Sequence, residues 1–157
     1  MDPLAELVAR EEIKKRLYTY CQSIDQGDWL TLRSCFGEEH VHNHGSYSGS
    51  VDGFVEHARR NLQPFSACQH TLSNLVVDFD DDGRSARSEV YFNAIHSMDG
   101  SKSKGTRFEP KDLGQGIDWF VAGVYRDQWV LRDGHWLIIE RNASHLWEKI
   151  EPKTPKP

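Results

Sequence analysis

The sequence predicts an α+β domain: a strongly curved, mixed but mostly antiparallel sheet closing as a cone, with N-terminal helices packed against it. Three observations carry this. Apolar residues recur at helical spacing up to Pro64, the period changes to two after Ser66, and two long hairpins follow. At 157 residues the chain is the size of one domain, expected over residues 1–150 with a disordered tail over 151–157.

Taken in order, Asp2-Pro3 reads as an N-cap with proline in the first turn. Leu4, Leu7, Val8, Ile13, Leu17, Cys21 and Ile24 then form an apolar stripe that Gly27 ends. Asp28 caps a short second helix carrying Trp29, Leu32 and Phe36, and Asp52 opens a third with Phe54, Val55, Ala58 and Leu62. Between them, residues 40–44 read as a short strand. Leu75, Val77 and Phe79 then alternate with polar partners, Asp80-Asp81-Asp82-Gly83 turns, and residues 86–96 return. Residues 97–116 have no period and are too long for a simple connection, which suggests a lid or a subunit contact. A second hairpin joins residues 117–132 to 135–147 through Asp133-Gly134. There is no internal repeat.

The formal charge of −5 and the scattered Lys and Arg leave no basic stripe for phosphates, so no nucleic-acid partner is expected. No run of eighteen apolar residues and no secretory leader pattern occurs, which gives the expectation of a cytoplasmic protein with no membrane partner. Cys21, Cys35 and Cys68 are odd in number, lack CxxC spacing and read as reduced core thiols. Trp119, Trp129, Trp136 and Trp147 are more aromatic surface than one sheet face buries, so a homodimer or homotrimer is expected.

The main chemical lead is an acid and an imidazole on two apolar faces. Asp25 closes the first helix and His70 opens a strand, and a carboxylate that orients a histidine makes it a better base. Each has a bland alternative: a core histidine bonded to a carbonyl, and an aspartate turned to solvent or capping the next helix. The helix dipole does not favour an acid at that end, which hints at another reason for Asp25. Tyr20 shares the side of Leu17 and Ile24, where a phenol is usually core. Arg141 lies on a face with Leu137, Ile139 and Ala143 and reads as a buried charge, serving a developing anion or an ion pair with Asp25 or Glu140, unless it holds an edge position open to water. Asn43, Tyr47, Asn74, Phe92 and Tyr125 are the candidate substrate contacts, with Asn74 on the strand face of His70.

His40, His42 and His44 alternate along one strand face. Ligands two apart in a strand are about 7 Å apart, too far to share one ion without bending, so no metal site is expected and the imidazoles are expected to face solvent. Phosphate-loop, nucleophile-elbow and zinc-protease motifs are all absent.

Several segments together resemble a known family. Tyr18-Thr19-Tyr20 through Asp25, Gly45-Ser46-Tyr47-Ser48-Gly49, Gln69-His70-Thr71-Leu72-Ser73-Asn74, Gly123-Val124-Tyr125-Arg126-Asp127 and Gly134-His135-Trp136 through Arg141 look like a SnoaL-like protein of the nuclear-transport-factor-2-like superfamily, which has a cystatin-like α+β barrel. The resemblance covers nearly the whole chain except residues 97–116 and the tail. It is nearest the group of scytalone dehydratase, bile-acid dehydratase and hexachlorocyclohexane dehydrochlorinase.

That group implies a cofactor-free pocket with Asp25 as the acid of the pair, His70 as the base and Arg141 as the arginine of the last strand. Tyr20 matches the tyrosine of the bile-acid enzyme, where the dehydrochlorinase has a lysine. The implied function is a lyase acting by dehydration, other elimination or formaldehyde release on a hydrophobic, hydroxylated aromatic or polycyclic molecule. The same family also implies alternatives: a non-catalytic binding or assembly module, a polyketide-cyclase-like isomerase, or an epoxide hydrolase.

Overall fold

The computed structural model describes residues 2–45, 47–112 and 114–153, apart from the side chain of His40. Helix α1 spans Pro3–Gln26. The Asp2 carboxylate accepts from the Ala5 N–H at its start, and Gly27, at φ 70°, donates its N–H to the Ile24 carbonyl at its end. Only the left-handed backbone that glycine adopts freely lets the chain reverse there so soon. The buried stripe runs from Ala9 through Ile13, Leu17, Tyr20 and Ile24. Leu4, Leu7 and Val8 are exposed.

Asp28 caps α2 (Trp29–Ser34) through the Thr31 N–H. Phe36 does not continue that helix but begins strand β1 (Phe36–His44), which is longer than the expected strand. A short strand, β2 (Tyr47–Ser50), follows unannounced by any periodicity. Ser50 rather than Asp52 caps α3 (Val51–Leu62), its hydroxyl accepting from the Gly53 N–H. The hairpins are β3 (Ala67–Phe79) with β4 (Ser85–Met98), and β5 (Ile117–Arg132) with β6 (His135–Pro152). Strand β6 thus carries the domain past residue 150, and the Lys153 N–H bonds to the Gly116 carbonyl. Residues 154–157 of the expected tail lie outside the described residues.

Among the described residues, six strands are ordered β2-β1-β6-β5-β4-β3, antiparallel except for the parallel β1–β6 pair. The sheet wraps the helices, and one core forms between them from Ile13, Leu17, Leu32, Phe54, Tyr125, Trp129 and Ile138 among others. Trp129 and Trp136 are buried within the single chain, so of the tryptophans that suggested association only Trp147 is largely exposed.

Register shifts in β3 and β6 decide which of their side chains face inward. Strand β3 shifts between Ser73 and Val76, where Asn74 takes a positive φ of 55°. Strand β6 shifts where Gln128 and Trp129 face Glu140 and Ile138, and again where Ala122 and Gly123 face Trp147 and His145. Each extra residue exchanges the inner and outer faces of the strand beyond it.

Candidate active site

The concave side of the sheet and the helices enclose a cavity of about 770 Å³. Its wall is largely apolar, with Ile24, Leu62, Phe92, Met98, Phe108 and Val121 among its lining, and a limited set of polar groups projects into it. Such a pocket suits a small hydrophobic molecule fixed by few polar contacts. The 97–116 segment contributes Thr106, Arg107 and Phe108 to the wall. Phe108 packs with Met98 and Ile117 in a second small core, and Asp112 Oδ1 accepts from the N–H groups of Gly114, Gln115 and Gly116. Arg107 lies 4.7 Å from the ring centres of both Phe108 and Trp119 and pairs with Glu148 of β6.

Asp25 and His70 meet as the sequence suggests. Asp25, in the last turn of α1, accepts from the His70 backbone N–H through Oδ2 at 2.8 Å and meets His70 Nδ1 through Oδ1 at 2.6 Å. The two contacts fix both the backbone and the ring. A carboxylate on Nδ1 places the imidazole proton there, which leaves Nε2 as the basic nitrogen, and the ring lines the cavity. The imidazole is 7% exposed and the carboxylate 18%. Strand β3 turns Cys68, His70 and Leu72 inward, and after the shift Leu75, Val77 and Phe79. Asn74 therefore leaves the face of His70 and is exposed, which removes it from the candidate contacts.

Tyr20 lines the same cavity and is wholly buried. Its hydroxyl makes no hydrogen bond of ordinary geometry, and Tyr125 and Arg141 are its polar neighbours. Burial pushes its pKa up to about 12, against the opposing pull of Arg141. Tyr125 is raised too, again by burial first, and stacks on Phe92 with ring centres 4.3 Å apart. Phe92 and Tyr125 both line the cavity.

Arg141 is fully buried but lies behind the tyrosines and does not line the cavity. Its Nε and Nη2 donate to the two carboxylate oxygens of Asp127, each at 2.7 Å, with both side chains inaccessible. The partner is thus neither Asp25 nor Glu140. Burial works against the guanidinium charge and Asp127 overcomes it, so the pKa rises. The guanidinium carbon lies 4.3 Å from the Tyr20 ring centre and 4.2 Å from that of Tyr125. The inward neighbours of Arg141 on β6 are Trp136 and Ile138, not Leu137 and Ile139, because of the register shift.

Two other candidates lie away from the cavity. Asn43 donates to the Asn142 side-chain oxygen and accepts from the Ser48 hydroxyl, and the Tyr47 hydroxyl donates to the Ser50 carbonyl. Two of the β1 histidines run opposite to expectation: His42 is fully buried with its ring stacked on Phe54 at 3.5 Å, and His44 lines the cavity, while the side chain of His40 lies outside the described residues. Among the described residues, no three His, Cys, Asp or Glu side chains converge as a metal site. Cys21, Cys35 and Cys68 are free thiols, the first two buried.

Sequence reasoning missed His57, His96 and His145 and put His44 in solvent, yet all four line the cavity. His96 was legible, since it continues the inward alternation of Val90, Phe92 and Ala94. Its ring stands edge to face with His70 at 5.3 Å, and burial pushes its pKa down to about 3.

No helix among the described residues is long and apolar enough to cross a membrane. No curated protein matches the chain by sequence. Among solved structures, a scytalone dehydratase-like protein from Novosphingobium aromaticivorans is 20% identical with a TM-score of 0.76, the match covering 92% of this chain and 89% of that one. Hexachlorocyclohexane dehydrochlorinase LinA-type3 from Novosphingobium barchaimii is 14% identical over 98% and 99% of the two chains, with a TM-score of 0.74. LinA itself is 21% identical over 94% and 92%, with a TM-score of 0.76. At such identities these likenesses establish the fold. The SnoaL-like domain family model matches residues 5–142, and the chain belongs to that family.

Proposed function

We propose that the protein is a cofactor-free lyase that eliminates water, or a comparable small group, from a hydrophobic hydroxylated aromatic or polycyclic molecule. The observation that carries the reading is the two-point clamp of Asp25 on His70 at the wall of an apolar cavity. A base held in one orientation, with its second nitrogen free, suits removal of a proton from carbon. The dehydratase-like and dehydrochlorinase structures of the same fold support elimination as the reaction class.

In this mechanism His70 Nε2 takes a proton from the carbon adjacent to the one bearing the leaving oxygen. That C–H electron pair becomes the new double bond as the C–O bond breaks. Tyr20 gives its proton to the departing oxygen, which leaves as water. A phenol raised to about 12 holds its proton until it is needed, and its buried hydroxyl has no competing acceptor of ordinary geometry. The phenolate that forms stands beside the guanidinium of Arg141, which stabilises it without touching substrate. Arg141 is therefore a positioning and electrostatic residue acting through Tyr20. Proton return from the imidazolium to the phenolate resets the site.

The test is a panel of hydroxylated aromatic and steroid-like compounds, incubated with exhaustively chelated protein and no added cofactor and analysed by mass spectrometry. A product lighter by water or formaldehyde supports the proposal. Activity that returns only with a divalent ion overturns it, and compounds that bind without turnover favour a binding module.

A further inference from the structure

We propose that His44 forms a second polar subsite of the cavity, donating a hydrogen bond from Nε2 to an acceptor oxygen, a carbonyl or ether-like oxygen, on the substrate. This rests on the lyase reading and narrows the substrate class to molecules with a second oxygen function besides the leaving group.

His44 ends β1, paired with Tyr47 of β2 and Ala143 of β6, and lines the cavity. Its Nδ1 is buried and has no hydrogen-bond partner among the described residues. That leaves Nε2 as the polar atom toward the cavity. A buried N–H without an acceptor is costlier than a buried lone pair, so the proton belongs on Nε2 and the ring presents a donor. Burial, with His145 and the Arg141 guanidinium next in weight, pushes its pKa down to about 3. The ring is therefore a neutral donor, matched to a neutral acceptor oxygen rather than to a carboxylate or phosphate.

The subsite is separate from the dyad. The ring neighbour of His70 is His96, whereas His44 packs edge to face with His145 at 5.6 Å and against Phe54 and Tyr125 at 6.0 and 6.2 Å. His145 reaches this place next to the register shift in β6, and it fixes the His44 ring from the side. A small apolar body lying along Phe92 and Tyr125 can then meet both polar ends.

Two inert probes isolate the claim. 5,6,7,8-Tetrahydro-2-naphthol and 6-hydroxy-1-tetralone differ only by a methylene in place of a carbonyl, and neither has a leaving group. By calorimetry the wild type is expected to bind the ketone at least about ten-fold more tightly, and His44→Phe should abolish the preference. In the ¹⁵N spectrum of histidine-labelled wild type, the ketone should shift the His44 imidazole resonances and the methylene compound should not, a readout independent of whether the variant folds. Equal affinities, failure of the ketone to bind, a preference retained by His44→Phe, or no selective His44 shift each overturn the subsite. Since neither probe reacts, failure of the lyase reading would appear instead as absent turnover in the compound panel with this binding preference intact.

Discussion

Replacing Asp127 by leucine should leave the Arg141 guanidinium charged, inaccessible and without a counter-ion between two aromatic rings. In the wild type the pair makes two bonds of 2.7 Å with both side chains at 0% exposure. Breaking such a pair from one side costs about 3–5 kcal/mol, because the surviving charge has lost its solvent and its partner together. In a domain of this size, where 1 kcal/mol moves the midpoint by roughly 2–4 °C, Tm should fall by roughly 6–20 °C. Removing both charges as Arg141→Met with Asp127→Leu should recover most of that, ending within about 2 kcal/mol of wild type, since no ion is then left buried. Urea unfolding of the four proteins, with similar m-values, gives the coupling directly. An Asp127→Leu cost below about 1 kcal/mol, or a double variant as unstable as the sum of the singles, would refute the reasoning.

Three further outcomes follow from the same geometry. Tyr20→Phe should lower kcat by about 100-fold with little change in KM, the loss expected for a missing general acid, and an unchanged kcat would move proton donation to another group. Acid should destabilise the fold: His44 and His96 are held near 3 against an ordinary 6.5, so the unfolded chain binds more protons between those values. Their contribution is complete above about pH 6.5 and is lost as pH falls toward 3, by at most about 2 kcal/mol per histidine at pH 5; His96→Phe should flatten the pH dependence of the urea midpoint, and an unchanged slope would contradict it. Gly123→Ala should cost about 1–3 kcal/mol in the same assay, because its Cβ would run into the Ser144 carbonyl oxygen and the Phe92 ring, and a neutral result would deny the tight approach of β6 there.

Much of this was legible in the chain because local rules and the tertiary structure agree. Asp2-Pro3, Gly27 and Asp28 mark helix ends through their own backbone and side-chain chemistry, and Asp133-Gly134 marks a tight hairpin, so these elements stand where the sequence puts them. Asp25 and His70 were readable as a pair because each lies on an apolar face whose period is intact up to that point. The register shifts at Asn74, at residue 139 and at residue 146 were not readable. A strand accepts an extra residue for reasons set by its neighbour, and every side chain beyond changes face. Asn74 was thus placed inward wrongly, Arg141 was assigned to the wrong inward neighbours, and His145 was overlooked. His42 and His44 were expected in solvent because a short alternating strand does not reveal which face a distant helix will cover. Phe54 of α3 covers that face.

We propose His70, held by Asp25, as the base of an elimination. Its most direct test is the rate of product formation by His70→Ala on the best substrate from the panel, chelated and without cofactor, with substrate affinity measured in parallel. The expected rate is lower by about 10²–10⁴-fold, with binding and the circular dichroism spectrum little changed. A His70→Ala protein that turns over substrate at close to the wild-type rate would contradict it.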